Sequence, residues 1–247
     1  MPPPLRSSVE LDAPPVVPWD TWYNQEAFLR PGHILFSGPT QSGKTLLCRE
    51  VSRLRSYVVV FGTKAVDPSL TAYVDEGYTR IDHWPPTRSE IKKQPRGEAR
   101  FILWPKIKTR NDLRKQQTKD LFARALDHIF IEGNWTIVVD EGLWFSSTSG
   151  LNLGQALGDV AYGSASNGVK LYVLVQRPAN VPPVVWTSVS QALLFKSGRT
   201  DDIRELASLG TNDPKAVAAA IRDLGEYQFL DLPVRSGAEW SVSKVEK

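Results

Sequence analysis

The 247-residue sequence holds one cysteine, Cys48, and one methionine, Met1. A single thiol excludes a disulfide framework and any zinc site built on cysteines. His33, His83 and His128 stand singly along the chain, so no histidine ligand cluster is encoded. The sequence has no run of eighteen apolar residues and no charged-then-apolar start of the secretory kind, which predicts an intracellular protein with no integral membrane segment. Internal repeats are lacking too. What is present is a globular composition, 41% hydrophobic and 23% charged, at a length that suits one large α/β domain with a well-buried core.

The net charge is only +3, but it is unevenly placed. Arg88 to Lys119 contains eleven Lys or Arg against three Asp or Glu, a local net of +8, which leaves the rest of the chain at −5. A basic segment of this kind favours a polyanion through counterion release; the alternative is a solvated face.

The stretch GPTQSGKT matches G-x-x-x-x-G-K-[ST] at every fixed position. It follows the apolar run HILFS and precedes a helix-compatible segment, the context a P-loop requires. The nucleotide-binding stretch is therefore Gly38, Pro39, Thr40, Gln41, Ser42, Gly43, Lys44, Thr45 and Leu46. Gly38 and Gly43 allow the tight turn that faces successive N–H groups at phosphate oxygens, beside the positive end of the following helix. Lys44 is placed to reach the β and γ phosphates of ATP, and the Thr45 hydroxyl to ligate Mg2+. Cys48, on that helix, reads as a small core residue.

A second motif, TIVVDE at Thr136 to Glu141, is an apolar run ending in two acids, as a buried parallel strand does when its carboxyl end opens onto a site. Asp140 suits the metal-holding acid of a Walker B strand. Glu141 is placed to polarise an attacking water, which a hydrolase needs.

Residues 1–31 carry seven prolines and little periodicity, and read as an extended N-terminal arm preceding a P-loop domain over 32–247. Trp19, Trp22, Tyr23 and Phe28 in the arm are anchors, either for the domain itself or for a neighbouring subunit. From His33 onward strands and helices alternate. HILFS leads to a helix from Lys44 to about Arg55, then YVVVFG, a short helix around Leu70 to Val74, and YTRI. RFILWP precedes a helix from about Asp112 to Ile131, whose Leu113, Phe122, Ala125, Leu126, Ile129 and Phe130 recur at helical spacing. That helix is expected to bury Leu126, Ile129 and Phe130 and to turn Arg110, Arg114, Lys115 and Lys119 outward. The Gly- and Ser-rich GLWFSSTSGLN, a helix to about Ser164 and the strand VKLYVLVQ follow TIVVDE. QALLFK, helices at about Asp201 to Leu209 and Pro214 to Leu224, and the short strands YQFLDL and EWSV complete the pattern. This rhythm predicts an α/β P-loop NTPase with a mostly parallel central sheet flanked by helices.

Four features in order, GPTQSGKT, TIVVDE, the strand-terminal Gln176 with Arg177 and Pro178, and the segment running on to Gly210, resemble the FtsK–HerA superfamily of DNA-pumping ATPases. Within it the chain is most similar to the genome-packaging ATPases of membrane-containing icosahedral phages. The resemblance covers about Leu35 to Gly210. It implies an ATP-hydrolysing motor on double-stranded DNA, working as a ring homo-oligomer, usually a hexamer, in the host cytoplasm or on the virion, with a phage capsid or portal-vertex protein as a further partner. It also implies that Lys44 and Thr45 bind nucleotide and magnesium, Asp140 supports the metal, Glu141 activates water and Gln176 couples phosphate state to movement. An arginine finger from the next subunit is expected. The cellular translocases often place an arginine just before the Gln-bearing strand, where this chain reads YGSASNG, so Arg177, Arg199 and Arg204 are the candidates, with Arg199 favoured for its place at a strand-to-helix junction.

Two other readings share the P-loop: a nucleotide or small-molecule kinase, and a nucleotide-controlled assembly protein. The Asp140–Glu141 pair and the lack of an arginine-rich lid late in the chain argue against the kinase, and an assembly protein needs no Glu141. A single-stranded-DNA exporting motor normally carries a membrane segment.

Overall fold

The computed structural model describes residues 13–24, 32–64, 67–106, 112–178, 188–235 and 239–246, without the side chains of 112–114 and 164–165. Nine strands form one sheet among these residues: β1 (His33–Ser37), β2 (Tyr57–Phe61), β3 (Thr79–Ile81), β4 (Ala99–Leu103), β5 (Thr136–Val139), β6 (Lys170–Val175), β7 (Val189–Phe195), β8 (Gln228–Pro233) and β9 (Ser241–Lys244). Their spatial order is β3-β4-β2-β5-β6-β1-β7-β8-β9. The first seven in that row run parallel, and β8 and β9 close one edge antiparallel. The expected α/β architecture with a mostly parallel sheet is what forms.

Both faces are covered, so the central strands are apolar throughout: β1, β5 and β6 are buried at every position. Alternation assigns the faces. Leu35, Ile137 and Val139 point into one core layer, and Ile34, Phe36 and Val138 into the other. The first layer is closed by α5 (Asp112–Glu132), α6 (Gly142–Ser146), α7 (Gly154–Asn167), α8 (Thr200–Ala207) and α9 (Pro214–Asp223), through residues such as Phe122, Leu157, Ile203 and Val217. The second is closed by α1 (Trp19–Tyr23), α2 (Lys44–Arg53) and α3 (Pro68–Asp75), through Trp22, Val51 and Tyr73. One further helix, α4 (Arg88–Lys92), is bounded by a Thr87–Glu90 capping box.

Several boundaries differ from the sequence reading. The helix after the P-loop stops at Arg53, with Leu54 as its C-cap; α3 begins earlier than expected, at Pro68, because Asp67 caps it by accepting from the Ser69 N–H at 3.0 Å. The last strand is Ser241–Lys244, two residues beyond the expected EWSV. Phe122, Ala125, Leu126 and Ile129 of α5 are fully buried, but Phe130 is 38% exposed. It sits about 100° round the helix from Ile129, past the core-facing stripe, with its ring against Gly163 of α7. Arg110 and the side chains of Leu113 and Arg114 lie outside what the structure describes.

The described part of the arm packs on the domain itself. The Val17 N–H donates to the Val242 carbonyl (2.8 Å), and the Val242 N–H donates to that of Pro15 (2.9 Å), which adds residues 15–17 to the β9 edge. Trp22 is fully buried; its indole N–H donates to Asp231 Oδ2 (2.8 Å) and its ring meets Phe229 edge-on at 4.6 Å. Phe28 lies outside the described residues.

Candidate nucleotide-binding site

Parallel strands collect their carboxyl ends along one edge of the sheet, and the site grows there. β1, held between β6 and β7, ends in the fully buried Ser37 and feeds the phosphate loop. The Gly38 N–H donates back to the Val175 carbonyl (3.2 Å); a Cβ at Gly38 would come within 2.6 Å of Phe195 Cβ, so this turn admits only glycine. Gly43, at φ 104, is the N-cap of α2 and supplies no side-chain cap, so the first amides of the helix face the loop. Lys44 is 8% exposed and donates to the Pro39 carbonyl (2.6 Å). Burial lowers its ammonium to about 8, although Asp140 and Glu141 pull the other way.

β5 brings Asp140 and Glu141 to the same edge. Burial pushes the Asp140 carboxyl up to about 6, against the pull of Lys64 and Lys44. Glu141 is held at φ 67, a left-handed backbone that a non-glycine residue adopts only when its surroundings impose it, and it opens α6. Its Oε1 accepts from Lys64 Nζ (2.8 Å) and from Gln176 Nε2 (2.9 Å). Gln176, immediately after β6, accepts in turn from Thr40 Oγ1 (3.2 Å). Lys64 also lies 3.5 Å from Asp67 Oδ2, so a polar chain crosses the mouth of the site from the phosphate loop to the start of α3.

These groups line one cleft of about 740 Å3. Of the residues singled out in the sequence, Thr40, Gln41, Gly43, Lys44, Thr45, Leu46, Asp140, Glu141 and Gln176 meet there. Gly38, Pro39 and Ser42 of the loop do not line the cleft. Arg199 does not join: it is exposed at the N-cap of α8. Arg177 is exposed beyond Gln176, and Arg204 pairs with Asp201 at 3.1 Å on the surface. None of the three lines the cleft of its own chain.

The cleft also contains Arg49, Arg53, Lys64, Asp67 and Tyr227, which the motifs did not indicate. Lys64 had no readable signal, since it stands past Gly62 and Thr63 beyond the end of β2, whereas Asp140 directly follows β5. Tyr227 had none; it reaches the loop from the far end of the chain, with Cδ1 3.0 Å from where a Gly43 Cβ would lie.

The donor set fits ATP with magnesium. A buried cation with only a carbonyl to bind, uncapped helix amides and a buried carboxyl destabilised as an anion are the partners that phosphates and a divalent cation lack. Among the described residues no group of three or more His, Cys, Asp or Glu is placed to hold a metal ion.

The described residues of the basic segment do not form one surface. Lys92 and Arg96 line a cleft of about 550 Å3 with Tyr57, Ala99 and Trp135, where β2, β4 and β5 begin, the edge remote from the phosphate loop. Lys106 and Arg124 line another of about 350 Å3 beside Asp82, where β3 and β4 have ended. Lys106 pairs with Asp82 (3.1 Å), Arg100 with Glu98 (3.1 Å), and Lys115 donates to the Ser149 carbonyl (2.8 Å).

This sheet order, with the phosphate loop at the tip of β1 and the acids at the tip of β5, defines a P-loop ATPase fold. No protein-family model matches the chain, and no curated protein does. Solved structures do share the fold. B204, the DNA-packaging ATPase of Sulfolobus turreted icosahedral virus, superposes with a TM-score of 0.60 at 17% identity over 87% of this chain and 98% of that one. The genome-packaging NTPase B204 of Sulfolobus turreted icosahedral virus 2, in complex with AMPPCP, gives 0.58 at 15% identity over 87% and 98%. VirB4 of Thermoanaerobacter pseudethanolicus gives 0.60 at 10% identity over 97% of each chain. At these identities the likeness is one of fold, and it agrees with the FtsK–HerA resemblance carried by the motifs. No helix among the described residues is long and apolar enough to cross a membrane.

Proposed function

We propose that the protein is an ATP-hydrolysing motor that moves double-stranded DNA. The observation that carries this reading is the convergence of Lys44, Thr45, Asp140, Glu141 and Gln176 on one cleft, with the Glu141 carboxylate hydrogen-bonded to the Gln176 amide. ATP binds with its β and γ phosphates on Lys44 and the loop amides, which fills the buried cation's missing partner. Thr45 and Asp140 would hold magnesium, which would neutralise charge on the phosphates. Glu141 takes the proton of the attacking water. Gln176, bonded both to the phosphate loop through Thr40 and to Glu141, transmits the state of the γ-phosphate.

The solved structures sharing the fold include a DNA-packaging ATPase, which supports double-stranded DNA as the substrate. Arg199, outside its own cleft and at an exposed strand-to-helix junction, then serves the neighbouring subunit of a hexameric ring as the finger. A phage capsid or portal-vertex protein recruits that ring in the host cytoplasm.

Steady-state ATPase assays with and without double-stranded DNA, read beside the oligomer mass, test the whole reading: DNA raises turnover in a ring-sized assembly. In the Lys44→Ala variant ATP binding or turnover is lost while the thermal transition stays within a few degrees of wild type, because Lys44 acts on ligand charge. Near-normal turnover in that folded variant overturns the assignment of the phosphate loop.

A further inference from the structure

Glu141 is the carboxylate of the cleft placed to take a proton from water in the proposed reaction, yet one of its oxygens is already taken twice. Oε1 accepts from the Lys64 ammonium at 2.8 Å and from the Gln176 amide at 2.9 Å. Lys64 is not anchored by packing; its side chain is 48% exposed, and its position is set by Glu141 and by Asp67 at 3.5 Å. Asp67 is itself fixed, 8% exposed, as the N-cap of α3, accepting from the Ser69 amide (3.0 Å) and hydroxyl (2.6 Å). The ammonium thus spans two carboxylates that follow adjacent strands, and only the one at Asp67 is pinned by a helix cap.

A carboxylate acts as a general base through a free lone pair aimed at the water it deprotonates. A charge-assisted bond from an ammonium draws charge from the carboxylate and fixes its rotamer, so the lone pairs of Oε2 point where the bridge sets them and not where the water requires. The left-handed backbone at Glu141 leaves the side chain few alternatives, so whatever holds the carboxylate decides where it points.

We infer that Lys64 is a positioning residue that holds Glu141 in a non-productive orientation, bridging it to the α3 N-cap, and thereby restrains hydrolysis until the bridge is released. The inference rests on Glu141 as the base. Activation is then the exchange of the Lys64 contact for the attacking water, a movement of one side chain with no backbone change required.

The test uses the full chain, ATP and magnesium, without DNA. Lys64→Met is expected to raise kcat about three- to tenfold with KM for ATP within about twofold, since only the freedom of the base changes. Lys64→Arg, which keeps a cation able to grip a carboxylate, restores the wild-type rate. Lys64→Gln, tested beside Lys64→Met, guards against misfolding of either, and both are read only at wild-type melting behaviour. In a Glu141→Gln background the Lys64→Met change is expected to have no effect, because Lys64 acts through the carboxylate. A kcat that is unchanged or lower in folded Lys64→Met and Lys64→Gln overturns the inference, as does an increase that persists without Glu141. If Glu141→Gln alone turns over near the wild-type rate, the base assignment fails and the inference with it, a failure told apart because it appears without any change at Lys64.

Discussion

His33 starts β1 with only 5% of its surface exposed, and its ring is read by two backbone groups. The Leu171 N–H donates to Nδ1 (2.9 Å), so the ring proton sits on Nε2 and is donated to the Ala161 carbonyl (3.1 Å). A second proton has nowhere to go but against the Leu171 N–H. Burial pulls the imidazole below its usual pKa, opposed by the bond to Ala161 and helped by Arg235 and Lys170. The fold therefore selects the neutral ring, and the unfolded chain takes up the proton first as pH falls through about 6.5. His33 contributes stability that is complete above that value and is lost as pH falls below it. The urea midpoint is expected to drop more between about pH 7 and about pH 5 in wild type than in His33→Asn, which keeps an acceptor and does not titrate. An equal drop in both proteins removes His33 as a source of that dependence. At this scale, residues joined by short consecutive motifs were legible in the sequence: the phosphate loop, Asp140 and Glu141, and Gln176 at its strand end. Lys64 and His33 were not, because the partners that give them meaning lie 77 and 138 residues away.

Among the helices, the long ones were readable and the five-residue ones were not. α5 shows six apolar positions at helical spacing, whereas α6 offers only GLWFS, too short for a period, and was taken with the Gly- and Ser-rich stretch it opens. α4 carried the T-x-x-E signature of its capping box without an apolar run behind it. The arm is the third case. Its aromatics announced an anchor, and packing chose the chain's own domain: Trp22 fills a site between α2 and β8 and satisfies Asp231, a buried carboxyl that also accepts from Gln191 (2.8 Å). Trp22→Ala is expected to lower the unfolding free energy by about 3–5 kcal/mol, as for large aromatic truncations in a core. Trp22→Phe keeps most of the volume but leaves Asp231 Oδ2 without its indole donor, at a cost of about 1–3 kcal/mol. Chemical denaturation of the two variants checks the order. A loss below about 1 kcal/mol in Trp22→Ala means the arm is not part of the cooperative unit.

For the molecule as a whole, charge that is continuous along the chain is divided in space. The described residues of the +8 segment are split between two edges of the sheet, with Lys92 and Arg96 at the edge remote from the phosphate loop and Lys106 at the edge that carries it. Lys115 donates to the Ser149 carbonyl and Lys106 pairs with Asp82 in an exposed ion pair that a polyanion can displace, so Lys106, Lys119 and Arg124 are the described cations expected to meet a polyanion near the nucleotide. Replacing these three by Gln is expected to reduce DNA stimulation and to flatten the salt dependence of DNA binding by about 0.9 in log–log slope for each phosphate no longer neutralised. The same change at Lys92, Lys93 and Arg96 leaves the stimulation in place, and basal turnover is untouched in both sets. If the second set abolishes stimulation and the first does not, DNA runs along the opposite edge.

β1 lies between β6 and β7 and pairs with no other strand, so the phosphate loop leaves the ribosome long before anything exists to hold it. β2 has both of its partners, β4 and β5, within the first 139 residues, while HILFS waits, apolar and unpaired, for residues 170–195 to be synthesised. Bringing such distant partners together is slow and leaves sticky surface uncovered in the meantime. A nascent chain stalled before residue 170 is therefore a client for chaperones that added nucleotide cannot rescue. Competence to bind ligand arises last, as the finishing step of assembly and not as its seed.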